Sequence, residues 1–234
     1  MTEPVPALVV LHLWRVPTSA VPRAVARMAL DRTPVRRAPG VRFAKLLGTG
    51  DGRTFTARDA DPHRWGLLTT WASADDARRF DRSSPVPAAW RSLAEEELRL
   101  DLRPTSSRGR WSGRQPFGDP VPVRESGPVA ALTRARLRAR RAASFWRAVP
   151  PVSTDLHTHP GLRAAVGIGE APVGLQGTFS LWDSPASLQQ FAHRSPAHVD
   201  VVRRTEEAGW YAEELFARFA VTAAEGTLDG RAPL

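Results

Sequence analysis

With no cysteine in the chain, histidine, carboxylate, arginine and lysine are the groups left for chemistry, and disulfides, thiolate metal sites and cysteine nucleophiles are excluded. There are six histidines. His198 stands out because it follows Ser195-Pro196-Ala197 at the head of a helical stretch, with Val201, Val202, Thr205 and Ala208 at helical spacing behind it. The positive end of a helix macrodipole disfavours imidazolium, so a first-turn histidine stays neutral, the form that ligates a metal. The bland alternative is a solvent-exposed histidine. Arg203-Arg204 lie on the same stretch beside Glu206-Glu207 and suit either an anionic ligand group or a solvated, salt-bridged face.

The other candidates are less distinctive. His157-Thr158-His159 would put two imidazoles on one metal if it were a strand, and otherwise reads as a polar loop. His63 lies in a loop, and His193 precedes a cap and is expected to be exposed. His12 sits in an apolar strand, as a satisfied core residue or as one pointing into a cavity between sheets. Lys45, the sole lysine, precedes Gly48-Thr49-Gly50. The order is wrong for a phosphate loop, so Lys45 is read as a pocket residue. No hydrolase triad or dinucleotide fingerprint is present.

The elements that position these residues are duplicated. Gly66 to Trp71, then Phe80 and Ser84-Pro85, recurs 111 positions later as Gly177 to Trp182, Phe191 and Ser195-Pro196. Pro39-Gly40 likewise matches Pro160-Gly161. His198 aligns with Pro87, which cannot ligate anything, so the copies differ at the residue that matters. Each copy reads approximately β-α-β-β-α-(α)-β, a ferredoxin-like order. The expected class is α+β, two tandem ferredoxin-like repeats forming an α/β barrel. The expected domains are 1–103 and 128–234, with a Pro/Gly/Ser/Arg-rich linker at 104–127 pinned to the surface by Trp111 and Phe117.

Strands are expected at 7–16, 41–47, 53–58, 65–71, 129–137, 163–168, 177–182 and 219–221, with another beginning at 100–102. Helices are expected from Pro22, with Val25, Met28 and Ala29 on one face, from Ser73, and over 87–98, 139–149, 185–193 and 195–216 with a break at Gly209.

The net charge is +9, yet nearly all of the positive charge is arginine interleaved with acids, so nucleic-acid binding is not the expected function. No run approaches the roughly 18 apolar residues that span a bilayer, and the N-terminus lacks a secretory pattern. A cytoplasmic protein is expected, one that an apolar substrate could bring to a membrane surface.

Gly40 to Gly50, Gly109-Arg110-Trp111-Ser112-Gly113, Ala164 to Pro172, and above all Ala197-His198 through Arg203-Arg204 to Phe219 resemble the spheroidene monooxygenase family over roughly residues 5 to 221. The resemblance implies an acyclic carotenoid ketolase-type monooxygenase that uses heme and acts on an apolar or amphipathic small molecule in carotenoid biosynthesis or specialised metabolism. It implies His198 as iron ligand, Arg203 or Arg204 on a propionate, and Lys45 or His12 on the distal side. Heme would supply the reactive iron. A separate electron donor is implied, because no flavin or iron–sulfur motif is present, and a homo-oligomer is compatible with the class. The alternatives are another heme reaction on this scaffold (aldoxime dehydration or nitrogen chemistry), a cofactor-free monooxygenase, or a non-catalytic heme-binding barrel.

Overall fold

The computed structural model describes residues 3–51, 59–123, 126–141, 144, 155–170, 175–194 and 209–234. The first half contains β1 (Leu8–Arg15), α1 (Val21–Leu30), α2 (Arg32–Arg36), β2 (Val41–Gly50), β3 (Ala60–Trp71), α3 (Ala74–Ser83), α4 (Pro85–Leu93) and β4 (Glu96–Gly109). The second contains β5 (Val129–Leu137), β6 (Leu162–Gly169), β7 (Leu175–Trp182), α5 (Pro185–Arg194) and β8 (Tyr211–Gly226).

The strands form a closed antiparallel ring in the order β1-β3-β2-β6-β7-β5-β8-β4. Each half contributes the ferredoxin-like order, 4-1-3-2, and the halves meet edge to edge at β4–β8 and β2–β6. The first seam runs from Leu98 opposite Gly226 to Gly109 opposite Leu215. The second is confined to Gly48–Gly50 against Gly167–Gly169.

Closure gives every strand an inner and an outer face. Leu11 and Leu13 of β1, Leu100 of β4, Leu132 of β5, Phe179 of β7 and Phe219 of β8 fill the interior. Val10 and Trp14 point outward onto α1–α4, with Trp71, Phe80 and Trp90. β1 is therefore buried on both faces, as its nearly unbroken apolar sequence requires. On the second half the outer core is smaller: Val129, Leu156, Trp182, Leu188 and Phe191.

The helix starts follow local chemistry. Ser73 Oγ accepts from the Asp76 amide at 3.1 Å, and Ser84 caps α4 with Pro85 in its first turn. Ser184 Oγ accepts from the Ser187 amide at the head of α5.

Several boundaries and faces differ from the sequence reading. α4 stops at Leu93, not Leu98, because Leu98, Leu100 and Leu102 alternate into the barrel as part of β4. Residues 211–216 are strand, not helix: β8 pairs with both β4 and β5, and Leu215, Ala217 and Phe219 face inward. α1 is rotated from the expected face. Ala24 is buried and Val25 is 53% exposed, and the side turned to the outer core carries Val21, Ala24 and Met28. β4 continues through 104–109, and Trp111 and Phe117 are fully buried in the barrel core rather than lying on its surface. The elements expected at 53–58 and 195–208, and most of 139–149, lie outside the described residues.

The duplication extends to the ends of the closing strands. β4 ends in Gly109-Arg110-Trp111-Ser112-Gly113-Arg114, and β8 in Gly226-Thr227-Leu228-Asp229-Gly230-Arg231. Gly109 and Gly226 have φ of 95° and 89°, and a Cβ on either would strike a carbonyl of the paired strand. Both turns then close with two left-handed residues, Ser112-Gly113 and Asp229-Gly230. Glu213 of β8 accepts from the Ser112 and Gly113 amides, and Glu96 of β4 accepts from the Asp229 and Gly230 amides. Each half thus clamps the other's terminal turn. Trp111 closes one barrel end, and Leu228 packs on the core in the corresponding turn. Trp111→Ala should cost about 3–5 kcal/mol. Leu228→Ala, partly buried, should cost less, and urea unfolding of the two variants checks the difference.

Candidate active site

Register aligns the halves residue by residue. Leu8 pairs with Trp71 as Val129 pairs with Trp182. The two tryptophans are held alike, each Nε1 donating to a hydroxyl two residues back, Thr69 at 2.8 Å and Ser180 at 2.9 Å. On the outer face of the first sheet, one row across the strands reads Arg99, His12, Leu67, Leu46. The corresponding row of the second sheet reads Phe216, Thr133, Thr178, Gly167. His12, Leu67 and Leu46 are all buried, whereas Thr133 is exposed. One register step away on each side, Val10 becomes Ala131 and Trp14 becomes Ala135. The second sheet has lost the bulk that fills the space between sheet and helices in the first. Arg108 extends the row at its edge, its guanidinium 5.0 Å from the Phe216 ring.

The barrel interior carries charge at one end. Lys45 shares the inward face of β2 with Phe43 and Leu47, and Arg134 that of β5 with Ala130 and Leu132. Lys45 Nζ pairs with Glu170 and donates to Ser112 Oγ at 2.7 Å. Arg134, 4% exposed, pairs with Glu213 and, at 3.1 Å, with Glu170. The Trp111 indole donates to Glu170 Oε1 at 2.5 Å, and the Lys45 and Arg134 cations lie 5.8 and 5.6 Å from its ring. Burial pushes the Glu213 carboxyl up, but the Gly113 and Ser112 amides and Arg134 outweigh it and hold it below the usual carboxylate range.

Three relatives are similar in sequence over most of the chain. The chain is 37% identical over 222 residues to a spheroidene monooxygenase of Rhodobacter capsulatus, covering 93% of this chain and 90% of that one. The chain belongs to the spheroidene monooxygenase family. Its Rubrivivax gelatinosus relative is 38% identical over 206 residues, covering 88% and 78% of the two chains. The Cereibacter sphaeroides relative is 31% identical over 211 residues, covering 90% and 65%. No family model matches the chain. Among solved structures, an aldoxime dehydratase superposes with a TM-score of 0.61 at 11% identity, covering 92% of this chain and 80% of that one, which is a likeness of fold. The spheroidene monooxygenase relatives make the protein an oxidoreductase of the monooxygenase kind.

Within this spheroidene monooxygenase family member, the structure describes two of the five site residues singled out by sequence, His12 and Lys45. His198, Arg203 and Arg204 lie outside the described residues. His12 and Lys45 lie on opposite faces of the first sheet and are not brought together. His12, 2% exposed, bonds Asp81 at 3.1 Å and stacks on Trp14 at 5.0 Å. It belongs to the packed helix layer, not to a cavity inside the barrel. His12, Asp81 and Glu97 cluster closely enough for a metal, but the Arg91 guanidinium already bridges Asp81 and Glu97 and supplies the positive charge. His157 and His159 do not share a metal site. Residues 155–158 are helical, His159 lies edge-on to Trp182 at 5.3 Å, and its Nδ1 accepts from the Gly161 amide. His63 Nδ1 donates to the Val16 carbonyl at 3.1 Å. Arg134, Glu170 and Glu213 were not singled out by sequence, though an arginine among the inward alanines and leucines of β5 is a readable signal.

Two predictions follow from these charge clusters. Burial pushes the Asp81 carboxyl up, but the His12 hydrogen bond and the charges of His12, Arg91 and Arg99 prevail and hold it at about 2. The folded carboxyl is depressed below its unfolded value, so its contribution is complete above about pH 4 and lost as pH falls toward 2. Allowing for solvent screening, Asp81→Asn should remove about 1–2 kcal/mol at neutral pH and flatten the acid limb of the stability curve, read by urea unfolding at several pH values. Arg134→Ala leaves Glu170 and Glu213 without a shared partner and should cost about 3–5 kcal/mol, read the same way at neutral pH.

Proposed function

We propose that this protein is a heme-dependent monooxygenase of an apolar or amphipathic small molecule, with an acyclic carotenoid as the leading substrate class, and that the cofactor sits on the outer face of the second sheet. The observation that carries the reading is the exchange of His12, Leu67 and Leu46 for Thr133, Thr178 and Gly167 at matching register. A large planar group needs a face stripped of bulky side chains, and this is where the scaffold has lost them. The fit is chemical as well. The floor is small and mostly apolar (Ala131, Ala135, Gly167), Phe216 offers an aromatic face, and Arg108 and Arg218 lie on the same outer face as exposed cations for carboxylates.

His198 would hold the iron, and Arg203 or Arg204 a propionate. The duplication supports His198, since the first copy has Pro87 at the matching position. Heme, when bound, supplies the redox-active iron that activates dioxygen. One oxygen atom enters the substrate and the other leaves as water, which takes two electrons and two protons. The electrons come from a separate donor. The chain's own part would be to hold the iron through the His198 imidazole, keep the cofactor face dry and seat an apolar substrate beside it. The Lys45–Glu170–Arg134–Glu213 cluster braces the barrel end rather than touching this face.

Purification with heme supplied should give a Soret band, and His198→Ala should abolish or shift it. A protein with no Soret band overturns the cofactor assignment; a band unchanged in His198→Ala overturns only the ligand. Refilling the face with the first half's own residues, Thr178→Leu with Gly167→Leu, should reduce heme binding at least tenfold at unchanged far-UV circular dichroism. Incubation of the loaded enzyme with spheroidene, dioxygen and a reductant should give an oxygenated product by mass spectrometry.

A further inference from the structure

α1 carries its apolar surface on the wrong side for a helix that only packs on a sheet. The sheet-facing side is Ala24, with Val21 and Met28 partly buried beside it. The solvent side reads Pro22, Val25, Ala26, Ala29, Leu30, spaced as one continuous helical stripe and exposed throughout. Val25 is 53% exposed and Leu30 66% exposed. Isolated exposed aliphatics need no explanation, but a contiguous stripe marks a contact surface.

The stripe is bordered by positive charge. Residues 17–50 hold six arginines and Lys45 against one acid, Asp31. Asp31 is 3% exposed and already bonded by Arg27, so it does not offset the field at the surface. Arg23, Arg32, Arg36 and Arg37 are exposed around the stripe. Arg32 and Arg36 continue into a groove lined by Ala44, Lys45 and Leu46 of β2. The groove's acid, Glu170, is paired with Lys45, and Glu3, close by, is paired with Arg114.

From this arrangement we infer that the α1–α2 face is a docking surface for an anionic lipid bilayer. The apolar stripe inserts at the headgroup boundary, and the flanking arginines pair with headgroup phosphates. Charge complementarity selects this occupant: arginines flanking exposed aliphatics on a short amphipathic helix suit a negatively charged interface. A second copy of the chain would bring arginines against arginines unless the faces were offset. The inference deepens the proposed function, on which it rests for its purpose, since a long apolar substrate is held in membranes and must be drawn from one.

The test is co-sedimentation of the full-length protein with phosphatidylcholine vesicles, with and without phosphatidylglycerol, in the absence of cofactor and substrate. The wild type should pellet with the anionic vesicles, several-fold more than with neutral ones, and salt should weaken the binding. Val25→Asp with Leu30→Asp should lower binding at least tenfold at unchanged thermal unfolding. Arg32→Glu with Arg36→Glu should lower it on anionic vesicles by about fivefold or more per arginine. Wild-type protein that stays in the supernatant with both lipids overturns the inference, as do variants that bind like the wild type. It is equally overturned if sedimentation velocity shows that Val25→Asp/Leu30→Asp splits a wild-type dimer, because the stripe is then a subunit interface. A missing Soret band with vesicle binding intact sinks the cofactor and spares this surface; the reverse result does the opposite.

Discussion

A four-stranded sheet in the order 4-1-3-2 leaves β2 and β4 as free edges, each a row of unsatisfied amide and carbonyl groups. Here the two halves cover each other's edges. β4 pairs with β8 along most of its length, and β2 with β6 over a short stretch of glycines and Thr49 and Ile168. Once the ring is closed, the rest of the arrangement is constrained. Every strand has an inner face that must interdigitate with seven others and an outer face that must be covered by helices or by something else. The terminal turns, at 111–114 and 228–231, are exchanged between halves and locked by Glu213 and Glu96. The ring is held by backbone pairing at two seams and by carboxylates that each satisfy two amides across the boundary.

Within this near-symmetric frame the two halves are filled differently. The first outer face is solid: Trp14 stacks between His12 and Trp90, and Asp81, Arg91 and Glu97 satisfy one another at its edge. The second outer face carries threonine, alanine and glycine at the same register. The interior is asymmetric as well, since Lys45, Arg134, Glu170 and Glu213 gather at the end closed by Trp111. Buried ion pairs add little net stability against an apolar filling, but they tolerate no loss of a partner. Their placement fixes the relative register of β2, β5, β6 and β8, strands from both halves. One half is therefore packed solid on its outer face, while the other carries small side chains at the same register.

The surface follows the same division. Of the helices covering the first sheet, α1 leaves Val25 and Leu30 exposed. It turns Val21, Ala24 and Met28 to the outer core and Val25 and Leu30 outward among arginines. No helix among the described residues is long and apolar enough to cross a membrane.

The duplication, the antiparallel strands and the helix starts at Ser73 and Ser184 were legible in the sequence because each depends on residues close together in the chain, whereas α4 begins at Pro85, two residues before the sequence reading put it. The sequence also places His198 where the first copy has Pro87, by comparing Ser195-Pro196-Ala197-His198 with Ser84-Pro85-Val86-Pro87, but that stretch lies outside the described residues. The paired turns Gly109–Arg114 and Gly226–Arg231 were present in the sequence as well, but their partners, Glu213 and Glu96, are about 100 or more residues away. What the tertiary structure alone decided is which face of each element is inside. The apolar periodicity of α1 names a stripe but not its direction, and Leu98–Leu102 can continue a helix or begin a strand until β1 and β8 are there to pair with it. The Thr133–Thr178–Gly167 face and the Lys45–Arg134–Glu170–Glu213 cluster are assembled from strands far apart in sequence. Local chemistry encodes the elements; closure of the ring, a long-range constraint, sets their register and therefore what each side chain meets.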